Sequence, residues 1–133
     1  MADRVLFGGK VAEISISVHR DARGVLTLVQ FGRFGFQPRR AFVVTAPHGT
    51  TRGGHGHRTG RQLFMHVSGE IYIALRYREE VEQIVLDSTN KAVLIEAPVW
   101  SSQTYHGDNP TMIVFSDTEY DPKGYLLDVE SGQ

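Results

Sequence analysis

The sequence predicts an all-β domain, a sandwich or a barrel, from three observations. Apolar stretches are short and rich in Val, Ile, Phe and Tyr. Gly, Pro, Asn or Asp breaks them at intervals of about ten residues, the rhythm of short strands joined by turns. Few segments look helical. Strands are expected, in order, at 12–18, 25–31, 40–45, 62–68, 70–77, 81–86, 92–95 and 111–116. Between them, Asp21-Ala22-Arg23-Gly24, Asp87-Ser88-Thr89-Asn90 and Gly107-Asp108-Asn109-Pro110 carry residues suited to positive φ, a preset φ or side-chain caps, and are expected to turn. The polar tail 130–133 is expected to fray.

With 133 residues and 41% hydrophobic content, the chain fits one domain spanning 1–133. Its 14 basic and 15 acidic side chains give a net charge of −1. Nothing general therefore attracts nucleic acid or an anionic membrane, and any bound anion must be met locally. The absence of cysteine excludes disulfides, thiolate metal ligands and cysteine nucleophiles. The opening MADRVLFGGK lacks a signal peptide's apolar core, and no apolar run approaches the roughly 18 residues of a membrane helix. The expectation is a soluble, cytoplasmic protein.

On the expected strand 62–68, Leu63, Met65 and Val67 alternate with Gln62, Phe64, His66 and Ser68. The first set reads as plain core. The second is mixed, as the lining of a small barrel with a pocket would be. Just upstream, His55 and His57 stand one residue apart, so on a strand both rings face the same way. Of the other histidines, His19, His48 and His106 are read as surface or hydrogen-bonded residues, whereas His66 sits on the mixed face.

Counting outward from the pair gives Gly49, His55, His57, Gln62 and Gly69, followed later by Pro98-Val99-Trp100-Ser101-Ser102-Gln103. These strings resemble the two motifs of the cupin barrels, which use three histidines and a glutamate to hold a divalent metal. Here Gln62 stands in place of the glutamate and Gln103 in place of the third histidine. Neutral amides are poor ligands beside imidazole and carboxylate. No metal and no cofactor are therefore expected, leaving His55 and His57 free for proton transfer.

The resemblance sharpens over roughly residues 20 to 128. Arg52-Gly53-Gly54-His55-Gly56-His57-Arg58 followed by Gln62 is similar to a string found in the nucleotide-sugar 3,4-ketoisomerases, WxcM-like cupins that act on dTDP-4-keto-6-deoxy-glucose. Asp21-x-Arg23-Gly24-x-Leu26, Phe36-x-x-Arg39-Arg40, Val67-Ser68-Gly69, Leu86-Asp87-Ser88, Pro98-x-Trp100 and Tyr120-Asp121 with Tyr125 follow the family's order. The chain departs from it at Phe42 and Val43, where the family commonly has a tyrosine pair. It departs again at Ser101, often histidine in the family, and at Gly124, often aspartate.

The resemblance implies a cupin-type (RmlC-like) jelly-roll barrel and a set of residue roles, beginning with His55 and His57 as acid/base residues. It implies an isomerase for deoxysugar biosynthesis that moves a ketone from C4 to C3 through an enediol. Histidine suits both proton transfers, having a pKa near neutrality. The substrate's diphosphate would meet arginine forks, with Arg52 and Arg40 first by position, then Arg23 and Arg58. Gln62 would orient an imidazole or a sugar hydroxyl, and His66 would border the substrate. Trp100 would stack on a base or fill the barrel mouth. Tyr120 and Tyr125 are read as packing the C-terminal segment. A homodimer is implied as well. The competing expectations are a sugar-nucleotide 3,5-epimerase and a metal-dependent cupin dioxygenase; a silent sugar-binding cupin is a third.

Overall fold

The computed structural model describes residues 2–127, so the tail 130–133 lies outside the described residues. The strands are β1 (Ala2–Leu6), β2 (Val11–Ile14), β3 (Ser17–Asp21), β4 (Gly24–Leu28), β5 (Arg40–Thr45), β6 (Thr51–His57), β7 (Arg61–Tyr77), β8 (Glu80–Leu86), β9 (Ala92–Glu96), β10 (Trp100–Ser116) and β11 (Tyr125–Leu126). The only helical pieces among the described residues are three short 3-10 turns. The all-β expectation therefore holds.

Two long strands organise the fold. The first half of β7 lies between β9 and the second half of β10, which also pairs with β5. The second half of β7 lies between β8 and the first half of β10, which also pairs with β6. Each long strand thus serves two layers. Ile71, Ile73, Leu75 and Tyr105 of one layer pack in a single core with Phe64, Met112 and Val114 of the other. The layers enclose this core as a jelly roll does, with no closed ring of strand pairing among the described residues.

The bends explain how one strand can line the interior twice. In β10 the buried positions are 101, 103 and 105, then 110, 112, 114 and 116; in β7 they include 62, 64 and 66, then 71, 73 and 75. Each strand changes phase once. Without that change a period-2 strand would carry the wrong face inward after the bend. Gly69 makes the β7 bend with φ of 72°. A Cβ there would stand 2.7 Å from Pro110 Cα, so the two bends press together where only glycine fits. His66 pins this corner: its Nε2 donates to the Gly69 carbonyl at 2.7 Å, and its Nδ1 faces Lys91 Nζ at 3.3 Å.

Several expectations are corrected. Residues 107–110 do not turn the chain back; they form the bulge inside β10, where the pairing register shifts between His106 and Thr111. Residues 12–18 divide between β2 and β3. Phe31 leaves its expected strand for the 3-10 turn Phe31–Phe34, whose rings join Phe36 and Leu63 in a second apolar cluster outside the sheet. On 62–68 the mixed face lines the interior as expected, with Gln62 and Phe64 in the cavity wall; the face read as plain core holds Leu63 under that outer cluster but leaves Val67 53% exposed.

Candidate active site

β6 positions the histidine pair. Its register against β10 shifts between Ser101 and Ser102, opposite Gly53 and Gly54, both with φ of 82°. At Gly53 a Cβ would meet Gln103 Oε1 at 2.5 Å. This double-glycine bulge lets the Gln103 side chain lie flat against β6, and after it His55 and His57 resume strand alternation on the interior face.

The cavity they enter has a volume of about 150 Å³. Both layers and the C-terminal strand contribute to its wall: Phe42 of β5, Arg52 of β6, Gln62 and Phe64 of β7, Gln103 and Tyr105 of β10, and Tyr125 of β11. Gln103 Nε2 donates to Ser101 Oγ at 2.9 Å, while the Gln62 side chain hydrogen-bonds His57. The Tyr125 ring centroid lies 4.7 Å from that of His55 and 4.9 Å from that of His57. A second cavity, of about 280 Å³, opens beyond His57 and Tyr125 and is bordered by Arg40, Glu119, Tyr120 and Asp121.

Burial dominates the electrostatics. It pushes the His57 imidazole down to about 4, helped by His55 and the Arg40 guanidinium and opposed by the Gln62 hydrogen bond. Burial lowers His55 too. Near neutral pH both rings are therefore uncharged, able to take a proton and strongly acidic once they hold one. His55 Nδ1 and Arg40 Nε are buried without a hydrogen-bond partner, and the Arg40 guanidinium lies 5.5 Å from the Phe42 ring and 5.7 Å from that of Tyr120. Burial raises the Tyr105 phenol while Arg52 pulls it down, leaving it a neutral donor. Among the described residues, no cluster of three or more His, Asp or Glu side chains is arranged to hold a metal ion. The two glutamines occupy the wall where such ligands would be needed.

The structure brings His55, His57, Gln62 and Arg52 to one cavity, with Arg40 on the adjoining one. It does not bring in the other candidates. His66 is spent on the β7 bend, with burial holding it neutral. Trp100 is half-buried and lies under the Arg76 guanidinium, 5.6 Å from it, outside the cavity wall. Arg23 is at the tip of the β3–β4 hairpin, paired with Asp21 at 2.6 Å and almost fully exposed. Arg58 is also engaged, its Nε donating to the Lys123 carbonyl at 3.0 Å. Tyr105 and Tyr125 face the cavity although neither was a candidate site residue. Ser101, Gln103 and Tyr105 alternate on one face of β10, a signal available from the sequence once 100–106 is read as a strand.

Two bent β layers around a cavity that carries strand-borne histidines define a cupin-type jelly roll. Within that class, the chain belongs to the family described as FdtA: WxcM-like, C-terminal, which it matches over residues 9–131. Solved structures agree in fold. A double mutant of QdtA, a 3,4-ketoisomerase from Thermoanaerobacterium thermosaccharolyticum in complex with TDP, is similar with a TM-score of 0.82 and 25% identity, covering 90% of this chain and 88% of that one. A 3,4-ketoisomerase from Helicobacter canadensis has a TM-score of 0.78 and 20% identity, with 90% of each chain covered. The RmlC epimerase of Mycobacterium tuberculosis has a TM-score of 0.80 and 20% identity, over 94% of this chain and 72% of that one. By sequence, no curated protein matches.

Proposed function

We propose that the chain is a metal-independent 3,4-ketoisomerase acting, as a single domain, on a dTDP-4-keto-6-deoxyhexose. The carrying observation is the pair of uncharged, half-buried imidazoles that share one cavity while an arginine borders each of two adjoining chambers. A ketone at C4 acidifies the proton on C3. One imidazole removes that proton to give the enediolate; a proton passes from the C3 oxygen to the C4 oxygen, and C4 receives a proton as the carbonyl forms at C3. The low basicity of the rings makes each imidazolium a good donor for the second half.

The sugar is assigned to the histidine cavity, with Arg40 and Arg52 meeting the diphosphate. Gln62 holds His57 in orientation. Arg23, His66 and Trp100 contact no substrate within the same chain in this reading. No described helix is long and apolar enough to cross a membrane, and a cytoplasmic enzyme fits the need for a nucleotide-sugar pool. A homodimer is assigned to the β3–β4 hairpin, whose strands pair only with each other among the described residues.

The test is incubation with dTDP-4-keto-6-deoxy-glucose in deuterated water, followed by NMR. The expected result is a 3-keto product with deuterium introduced at C4, absent with His57→Asn. Exchange at C5 without movement of the ketone would make the chain an epimerase instead, the activity carried by the similarly folded RmlC protein.

A further inference from the structure

We propose that Tyr125 is a positioning residue: its ring clamps both imidazoles and shuts solvent out of the histidine cavity. The inference deepens the isomerase reading and rests on it for its catalytic meaning, although its physical content does not. Tyr125 belongs to a strand of two residues, β11, laid against β6 so that Tyr125 is the direct cross-strand partner of His57 and Leu126 that of Gly56. Such partners have side chains close enough to pack ring on ring. The planes meet His55 at 83° and His57 at 47°, so the phenol ring covers one imidazole edge-on and leans on the other. The two imidazoles are themselves perpendicular, 5.5 Å apart. Three rings thus form one packed unit.

Tyr125 and His57 are the two residues that border both cavities, so the phenol ring, packed on His57, forms part of the partition between the histidine chamber and the Arg40 chamber. The segment carrying it is fixed to the end of β6 by Arg58, whose N–H donates to the Gly124 carbonyl at 2.7 Å and whose Nε donates to that of Lys123. Asp121 caps the short turn before it by accepting from the Lys123 N–H at 2.9 Å. These bonds hold the backbone in place and leave the ring to do the covering.

Burial is the largest influence on both imidazoles, and Tyr125 is an aromatic surface lying on each. Other groups around the pair are Arg52 on β6, Arg40 on β5, uncharged Gln62 on β7, Tyr105 on β10, and Glu119, Tyr120 and Asp121 on the segment leading to β11. Arg40 keeps His57 low whether or not the ring is present. Removing the ring therefore raises the His57 midpoint only part of the way toward 6.5.

Histidine NMR titrations without substrate test this independently of the activity. In Tyr125→Ala, the midpoints of both His55 and His57 are expected to rise, with the larger movement at His57. Tyr125→Phe, which keeps the ring, is expected to retain the wild-type midpoints. In the wild type itself, imidazole C2–H exchange into deuterated water is expected to be slower at His55 and His57 than at His19. Unmoved midpoints in Tyr125→Ala, or wild-type exchange at the pair as fast as at His19, would overturn the clamp. With substrate, the acid limb of kcat/KM should move up in Tyr125→Ala by the same interval as the NMR midpoint. If the midpoints move and no ketone migrates even in the wild type, the clamp stands and the isomerase reading falls.

Discussion

Gln62 and Gln103 decide what the two histidines can do. Both line the same cavity as His55 and His57, so in the proposed metal-independent reading the difference from a metal site lies in donor chemistry rather than in ligands displaced from the site. An amide oxygen is neutral and holds a divalent cation weakly, whereas glutamate and imidazole are good ligands. The paired change Gln62→Glu with Gln103→His is therefore expected to create a zinc site. Calorimetry should show Zn²⁺ binding at least roughly tenfold tighter than in the wild type, about 1.4 kcal/mol. Equal binding by the two proteins would mean that the cavity shape, not the donor set, governs the metal. The residue-level site was partly legible. The spacing of the histidines and the Arg-Gly-x-His-x-His string located His55, His57, Gln62 and Arg52. Tyr125 was hidden because a two-residue strand carries no periodicity, and its proximity to His57 arises from pairing between segments 68 residues apart.

At the level of elements, β4, β5, β8, β9 and both halves of β7 were readable as strands, whereas β1, β6 and the first half of β10 were not among the expected strands, and neither long strand was read as continuous. β7 and β10 each reverse phase at a bend, so a continuous strand of 17 residues resembles two strands separated by a turn. Residues 107–110 show how turn chemistry can serve a bulge: positive φ at Gly107 and Asn109 bends the strand without ending it. The core reading of Val67 fails for a related reason: alternation identifies two faces, and here the one carrying Gln62, Phe64 and His66 points inward while Val67 is left exposed on the approach to the bend. The β3–β4 hairpin was anticipated around its Asp21–Gly24 turn, but nothing local said that it would stand apart from the main sheet. Leu26 is 58% exposed, with Val25 and Leu28 also largely uncovered, and a lone two-stranded ribbon is marginal in water. Light scattering of the wild type should accordingly give twice the chain mass, and Leu26→Glu should shift it toward one chain mass by burying a charge at the assigned contact. A wild-type monomer would remove the hairpin's assigned role.

At the scale of the whole molecule, the same burial that tunes the site should make stability depend on pH. His55, His57 and His66 all have folded-state pKa values below 6.5, with burial as the largest cause in each case. In the unfolded chain they titrate near 6.5. As pH falls from 6.5 toward about 4, the unfolded chain takes up protons that the folded one refuses, so the native state loses stability across that interval. Asp21 and Asp87 are lowered from 3.8 by their hydrogen-bond partners; their contribution is present above 3.8 and is lost as pH falls below it, so it lies outside the histidine interval. Thermal melting from pH 7.5 to 4 should thus show Tm falling with acid, beginning near 6.5. In His57→Asn the fall over the same range should be shallower, because one of the three resisting groups has been removed while the aspartates are untouched. An unchanged slope in His57→Asn would show that solvent reaches this imidazole in the folded state, and would count against an enclosed proton-transfer site.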